Sequence, residues 1–435
     1  MGWIQDKWSF SENPFSIKEL YAQKELDTLF VNREKELKQL ITGLDSSEGG
    51  VVYGISGNRG SGKSTILNKV LSEIRRGGNL TLMVNTSGTY SEEEYLKKIL
   101  TGLCDQLDDK SLSQNMKKEV ARIRANLLYD EKVTKEKTSE DSIRASIKAS
   151  VFSFFGSEIG GETKASISDQ IEKSLKPYSK VTLVSELLHL LNLLKKDTKQ
   201  KIIVSIDETD KCGFKEEEKC LDVIKEVLAT RDSHFIFVGT LNFYTNFRQV
   251  FLGNEEEATT SSIFCDVILV QKLEDEKSLE IINKRLAYYA INGKYRNPFE
   301  KNALKVILEI AAGNPKQLMR LCSQGFIYCG EEGKQINAQE LMDYFMGKNF
   351  IERLSRTERV YFRIVERLDA VTAGSDELIK SLKTAKVETT SRQQNRVILE
   401  RLVKKKFLYK RTKVNNNAKL IEYLPTELSK HVFSK

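Results

Sequence analysis

The chain has 435 residues, 40% of them hydrophobic, and carries a net charge of only +8, so it holds enough apolar material for about two to four domains. No apolar run reaches the roughly 20 residues that a membrane-spanning helix needs, and MGWIQDKWSF lacks the basic-then-apolar layout of a secretory signal. Six scattered cysteines without a CxxC pair, and three histidines, point to reduced thiols in the cytoplasm rather than a disulfide framework or a zinc site.

Residues 1–27 show no clear period and read as an N-terminal arm. FVNREKELKQLITGL follows as a helix, with Asn32 as its cap and Leu37, Leu40, Ile41 and Leu44 on one stripe. GVVYGIS is a short apolar strand, KSTILNKVLSEIRR a helix, NLTLMVNTS a second strand, and EEEYLKKILTGLCDQL a helix capped by Ser91. The stretch 108–180 changes character. SIRASIKASVFSFF alternates Ile143, Ala145, Ile147, Ala149 and Val151, and GSEIGGETKASIS brings a Gly-Gly pair. Together these read as a β-hairpin insertion beside charged helices or as an irregular surface excursion, serving either as a partner-docking element or as a spacer.

Regular patterning returns with a helix over 180–196, the strand KIIVSID, the helix KEEEKCLDVIKEVLA, and the strands HFIFVGT and FCDVILV. Alternating helices and strands, with the strands apolar on both sides, predict a mostly parallel sheet covered on two faces. From about Glu274 the chain is all-helical.

GISGNRGSGKST, residues 54–65, stands between the first strand and its helix. Gly57, Asn58, Arg59, Gly60, Ser61, Gly62, Lys63 and Ser64 satisfy GxxxxGK[ST] without a mismatch, and Thr65 completes the stretch. The glycines let backbone N–H groups surround phosphate oxygens, and the helix presents its positive end to them. Lys63 reaches the β/γ-phosphates and the Ser64 hydroxyl ligates Mg²⁺. The bound group is a nucleotide. KIIVSIDETDK ends in Asp207, placed to hold the Mg²⁺ water shell, and Glu208, placed to orient and deprotonate an attacking water. Asp210 is either structural or a partner of Lys211. HFIFVGTLN ends in Thr240 and Asn242, which either bridge the γ-phosphate and that water or cap a loop.

In this order FVNRE, the phosphate loop, IDETD, VGTLN and GNPKQLMR resemble AAA+ ATPases. The resemblance is to the branch of origin-recognition initiators, archaeal-type ATPases and signal-transduction (STAND) ATPases, over about residues 28–350. It implies that the nucleotide is ATP, and a P-loop NTPase α/β fold, with a five-stranded parallel sheet over 28–273 and a helical lid over 274–350 that closes over the nucleotide. It makes Asn242 the sensor-one residue. The place of the sensor-two arginine holds Lys316, a point charge instead of a planar fork, with Arg320 one turn further on the same face. GNEEEATTSSIF contains no arginine finger; Arg248 is the nearest candidate and Arg285 a more distant one. This leaves room for oligomers but weakens the case for an obligate hydrolysing ring.

Residues 351–435 read as three helices and a hairpin with Asn415–Asn417 at its tip, which resembles a winged helix-turn-helix. In its third helix, SRQQNRVILERLVKKKF, Ser391 is the cap and Val397, Ile398, Leu402 and Val403 face inward. Arg392, Gln393, Gln394, Asn395 and Arg396 lie opposite, residue types that reach base edges. Twelve Lys/Arg against two Glu between Lys380 and Lys413 give this stretch +10, leaving −2 for all the rest. Lys404, Lys410 and Arg411 would neutralise phosphates of duplex DNA. The expectation is a slow ATPase switch that binds DNA. The alternative is a STAND-like regulator whose winged helix braces the ATPase core or meets a protein partner, in defence, transposition or transcription control.

Overall fold

The computed structural model describes residues 2–88, 90–107, 112–135, 140–154, 161–211, 217–251, 263–346, 354–387, 391–405, 407–415 and 418–425. They divide into two compact units, one of residues 19–271 and one of residues 1–18 with 272–435. The chain opens with α1 (Gly2–Trp8), which belongs to the second of these.

The unit 19–271 runs α2 (Gln23–Leu29), α3 (Glu34–Asp45), β1 (Val52–Gly57), α4 (Lys63–Arg76), β2 (Leu80–Asn85), α5 (Glu92–Leu107), α6 (Gln114–Lys135), α7 (Glu140–Phe154), α8 (Gly161–Ser174), α9 (Lys180–Thr198), β3 (Ile202–Asp207), α10 (Glu218–Leu228), β4 (His234–Gly239), α11 (Leu241–Phe251) and β5 (Asp266–Val270). The five strands are parallel in the order β2-β3-β4-β1-β5. Side chains of one strand point alternately to opposite faces. Val52, Val204, Ile206, Phe235 and Phe237 therefore join the core under α5, α9 and α10. Tyr53, Ile55, Ile203, Ile236 and Val238 join the core under α3 and α4. Both faces are buried, so the strands read as unbroken apolar runs.

Ser91 caps α5 as expected: its Oγ accepts from the Glu94 N–H at 3.3 Å, and the Glu94 carboxylate accepts from the Ser91 N–H at 2.7 Å. Asn32 does not cap α3. It takes φ 52°, and the N-cap position falls on Arg33, which makes no side-chain capping bond.

The predicted hairpin in 108–180 is replaced by helices α6, α7 and α8. Residues 108–111, 136–139 and 155–160 lie outside the described residues. The period-two reading fails because the buried positions are Ile143, Ile147 and Val151, spaced four apart, while Ala145 and Ala149 are exposed. Ile167 and Ile171 of α8, with Leu175 just past its end, repeat the spacing opposite. Alanine fits either pattern, so only the packing partner separates a strand from a helix here. α6 is buried on two sides. Met116, Val120, Ile123 and Leu127 enter the sheet-side core, and Ala121, Ala125 and Tyr129 enter the core with α7 and α8. Ion pairs Arg122–Glu186 and Lys97–Asp130 tie the insertion to α9 and α5.

His234 begins β4 and is fully buried. Burial, reinforced by Lys201 and Lys195, lowers its pKa to about 4. The folded chain therefore holds it neutral where the unfolded chain, with a pKa near 6.5, takes up a proton. Stability present above pH 6.5 is lost as pH falls toward 4. The expected loss from this group between pH 7 and pH 5 is about 2 kcal/mol. Urea unfolding of the wild type and His234→Gln at both pH values checks it, because the variant lacks that part of the acid sensitivity.

The second unit continues with α12 (Asp275–Tyr289), α13 (Lys301–Ala311), α14 (Pro315–Cys329) and α15 (Ala338–Met346). The N-terminal residues are part of its core: Ile4, Trp8, Phe10 and Phe15 pack with Ile282, Leu286, Phe299 and Phe326. The Trp8 indole N–H donates to the Gly330 carbonyl at 2.7 Å. Arg285 is buried and donates to the carbonyls of Pro14 and Ser16 at 3.2 and 3.0 Å. It holds the arm and is not presented as a finger.

The chain ends with α16 (Arg356–Leu368), β6 (Val371–Thr372), α17 (Asp376–Thr384), α18 (Arg392–Lys404), β7 (Leu408–Asn415) and β8 (Ala418–Pro425). The strands form an antiparallel sheet in the order β6-β8-β7, with Asn415 opposite Ala418 across the turn. Asn416 and Asn417 lie outside the described residues. Tyr361, Phe362, Val365, Leu378, Leu382, Leu399, Leu402, Phe407 and Tyr423 make a separate core. Among the described residues no helix is long and apolar enough to cross a membrane.

Candidate functional site

The carboxyl ends of β1, β3 and β4 converge because β4 lies between the other two in the sheet. Ser56 faces Gly239 and Gly57 faces Val270 across the ladders. Loops leaving this edge form the crevice where open α/β sheets place ligands. The phosphate loop leaves β1 and enters α4 through Gly62, which stands at the N-cap with φ 98°, a conformation that favours glycine. A Cβ on Gly57 would lie 2.8 Å from the Val270 carbonyl oxygen and 3.0 Å from Ser61 Oγ. The loop must therefore pass close to β5 without a side chain. Ser61 Oγ is buried with no hydrogen-bond partner among the described residues, an orphaned donor inside the cradle.

Lys63 is half-buried at the first turn of α4. Its Nζ donates to the carbonyls of Gly57 and Asn58 at 2.9 and 3.3 Å. Burial lowers its pKa, against the pull of Asp210, Asp207 and Glu217. Ser64 lies beside Asp207, the last residue of β3. Burial raises the Asp207 pKa; the nearby Ser64 hydroxyl and the Glu208 N–H, 2.7 Å from Asp207 Oδ1, oppose that rise. Asn58 and Arg59 are exposed, and Gly60 and Thr65 are half-buried. A buried carboxylate beside a hydroxyl at a helix N-terminus is an all-oxygen donor set that suits Mg²⁺. Asp207 and Ser64 would hold the ion, which when bound neutralises charge on the phosphates.

Glu208 takes φ 62°, left-handed backbone that is uncommon outside glycine, where the chain turns from β3 into the 3₁₀ turn Thr209–Lys211. The turn is fastened from both sides. Thr209 Oγ1 donates to the Val238 carbonyl of β4 at 2.9 Å, and the Thr86 N–H and hydroxyl both donate to the Asp207 carbonyl at 3.0 Å. The Glu208 carboxylate is ion-paired with Lys211. Lys211 thus pairs with Glu208, whereas the sequence had offered Asp210 as its partner.

Thr240 follows β4, and Asn242 is exposed in the first turn of α11. Sequence reasoning missed Glu217. Its carboxylate accepts from the Thr240 N–H at 2.7 Å and from Thr240 Oγ1 at 2.8 Å. In KEEEKC this glutamate is one acid in a run of charges, with no local signal to separate it from a solvated helix start. Lys316 and Arg320 lie on α14, which Asn314 caps through the Gln317 N–H at 3.1 Å; both are exposed and belong to the unit 1–18 with 272–435. Residues 252–262, most of the stretch searched for a finger, lie outside the described residues. Arg248 is exposed on α11, where it donates to the Tyr244 hydroxyl at 3.1 Å. Among the described residues no cluster of His, Cys, Asp and Glu resembles a closed metal site.

Residues 30–321 match the family model of an ATPase domain predominantly from Archaea. The chain belongs to this ATPase family. It is accordingly an AAA+-like, nucleotide-binding P-loop protein. A search of curated proteins finds no sequence match. Among solved structures, the Aeropyrum pernix ORC2 protein in its ADPNP-ADP complexes is 12% identical, with 97% of each chain covered and a TM-score of 0.46. The Aeropyrum pernix ORC1 protein in complex with DNA is 11% identical, covering 98% of this chain and 96% of that one, with a TM-score of 0.38. A single-residue variant of RuvB from Thermotoga maritima is 12% identical, covering 96% and 98%, with a TM-score of 0.35. These scores lie below 0.5, so the family match alone places the chain.

Outside the nucleotide site, this ATPase-family chain exposes Arg392, Gln393, Gln394 and Arg396 in the first turns of α18. Two predictions about α18 are corrected. Asn395 is buried, not solvent-facing: it accepts from the Tyr361 hydroxyl at 2.6 Å and donates to the Ala373 carbonyl at 3.1 Å. Val397 is 47% exposed, and Leu399 takes the inward place instead. Both follow from the helix's rotation, which buries 395, 399 and 402 and packs Ile398 and Val403 against the same core while Val397 turns outward. Ser391 occupies the N-cap but makes no side-chain capping bond. Arg392, Gln393 and Arg396 line a groove of about 430 Å³ against Leu420, Ile421 and Tyr423 of β8. Lys404 is exposed. Lys410 pairs with Glu400 at 3.1 Å and Arg411 with Glu422 at 2.8 Å, so part of the basic surface is already matched.

Proposed function

We propose that this chain is an ATP-hydrolysing switch with three parts: an ATPase core over 28–273, a helical lid over 274–350, and a winged helix over 351–435 that binds duplex DNA. The observation that carries the ATPase reading is the meeting of the phosphate loop with the acidic end of β3, where buried Asp207 lies beside Ser64 and Glu208. Loop amides and Lys63 hold the triphosphate. The Glu208 carboxylate turns from Lys211 to an attacking water and takes its proton, while Asn242 reads the γ-phosphate. Lys316 or Arg320 answers the same phosphate from the lid. Turnover is slow and rises with a partner.

The DNA reading is supported by α18, whose N-terminal turns offer Arg392, Gln393 and Arg396 to solvent. These types recognise base edges, and the surrounding lysines meet phosphates. Arg392→Ala/Arg396→Ala is expected to weaken binding to duplex DNA about tenfold or more, and Lys404→Ala to flatten the slope of log K against log salt by about 1. Filter binding across salt, with ADP and with a non-hydrolysable ATP analogue, checks both. An affinity for duplex DNA unchanged by the double variant defeats the DNA assignment. The ion pairs Lys410–Glu400 and Arg411–Glu422, together with exposed Val397, favour a second reading in which the same module meets a protein or braces the core. Under that reading, truncation near Leu354 raises ATP turnover without DNA.

A further inference from the structure

Glu217, like Asp210, is an acidic side chain of this crevice that the mechanism above leaves unused. It stands at the N-cap of α10, where an acidic residue ordinarily caps its own helix, yet it makes no such bond. Its carboxylate instead grips Thr240 through both the backbone N–H and the hydroxyl, at 2.7 and 2.8 Å. The same Thr240 oxygen accepts the Asn242 N–H at 3.3 Å. One residue on, Glu218 accepts from the Asn246 side chain at 3.1 Å, so the start of α10 is tied to α11 at two points. Glu217 also faces the charges of Lys63 and Asp210. Lys63 is thus linked in order to Glu217, Thr240 and Asn242, from the phosphate loop to the end of β4.

We infer that Glu217 is a positioning residue: it fastens the Thr240–Asn242 turn beside the phosphate pocket, so that Asn242 meets the γ-phosphate in one geometry. The inference rests on the ATPase reading above and deepens it. The carboxylate needs only its two bonds to Thr240 and exchanges no proton. Glutamine keeps both, because its oxygen accepts the Thr240 N–H and its amide donates to the hydroxyl. Alanine keeps neither.

The test is single-turnover ATP hydrolysis together with calorimetric ATP binding on the full chain. Glu217→Ala is expected to lower the hydrolysis rate about tenfold while changing the ATP Kd less than about threefold, and Glu217→Gln to recover most of the rate. In an Asn242→Ala background, Glu217→Ala is expected to cost little more, since both act through one contact. The inference is overturned by a Glu217→Ala enzyme with wild-type turnover, by a Gln variant as slow as the Ala variant, or by losses that add fully with Asn242→Ala. Should Glu217→Ala fail to fold, the Gln variant and the Asn242→Ala cycle built on it decide alone: wild-type-like turnover in Gln upholds the inference, and a tenfold loss overturns it. A wild-type chain that binds ATP without hydrolysing it would sink the ATPase proposal first, which is a distinct result.

Discussion

Lys63→Ala is expected to weaken ATP binding at least about a hundredfold, a loss of roughly 2.7 kcal/mol. The Lys63 ammonium is half-buried and rests on the carbonyls of Gly57 and Asn58. Those carbonyls hold it where a charged oxygen would be a stronger partner. Asp207, Asp210 and Glu217 lie near it, so its removal leaves an acidic crevice facing an anionic ligand. The loss therefore exceeds that of one hydrogen bond, because local repulsion is no longer offset. Isothermal calorimetry with ATP and Mg²⁺ on wild type and variant measures it. The variant should retain its fold, since it changes no apolar residue of either sheet core. Equal affinities would remove the nucleotide site from the phosphate loop and every assignment built on it.

Glu208→Gln is expected to lower ATP turnover about a hundredfold or more while leaving ATP binding within about threefold of wild type. The substitution preserves shape and removes the proton acceptor. It also breaks the Lys211 ion pair, which lies at the surface and contributes little to stability. The left-handed backbone at Glu208 aims the side chain away from the strand direction; glutamine tolerates it about as well as glutamate, so the loss reads the chemistry and not the turn. Phosphate release under saturating ATP checks it. Normal turnover in this variant would transfer the base to another group.

The phosphate loop was legible at once, because every residue in it does local work: a glycine where the backbone turns, a lysine and a serine at a helix start. The five strands were equally plain, being short apolar runs bounded by polar turns. The failures share a cause. Ile143, Ile147 and Val151 fit both a strand and a helix, and the facing stripe of Ile167, Ile171 and Leu175, which selects the helix, lies some twenty residues away. Asn395 looked like a base reader because it sits among Arg392, Gln393 and Arg396, but the Tyr361 hydroxyl and the Ala373 carbonyl turn it inward. Trp8, Phe10 and Phe15 show no period because they do not line one element; their rings gather around Phe326 of α14.

Alone, the order of residues determined the phosphate loop, the acidic pair after β3, the two-sided burial of the sheet and the excess positive charge near the end of the chain. These depend on neighbours in sequence, whose spacing is set by backbone geometry. Tertiary structure decided the helical insertion, the burial of the N-terminal residues, the facing of α18 and the grip of Glu217 on Thr240. Each of these depends on which distant group supplies a partner for a buried apolar or polar atom, and that partner is chosen only when the chain has packed.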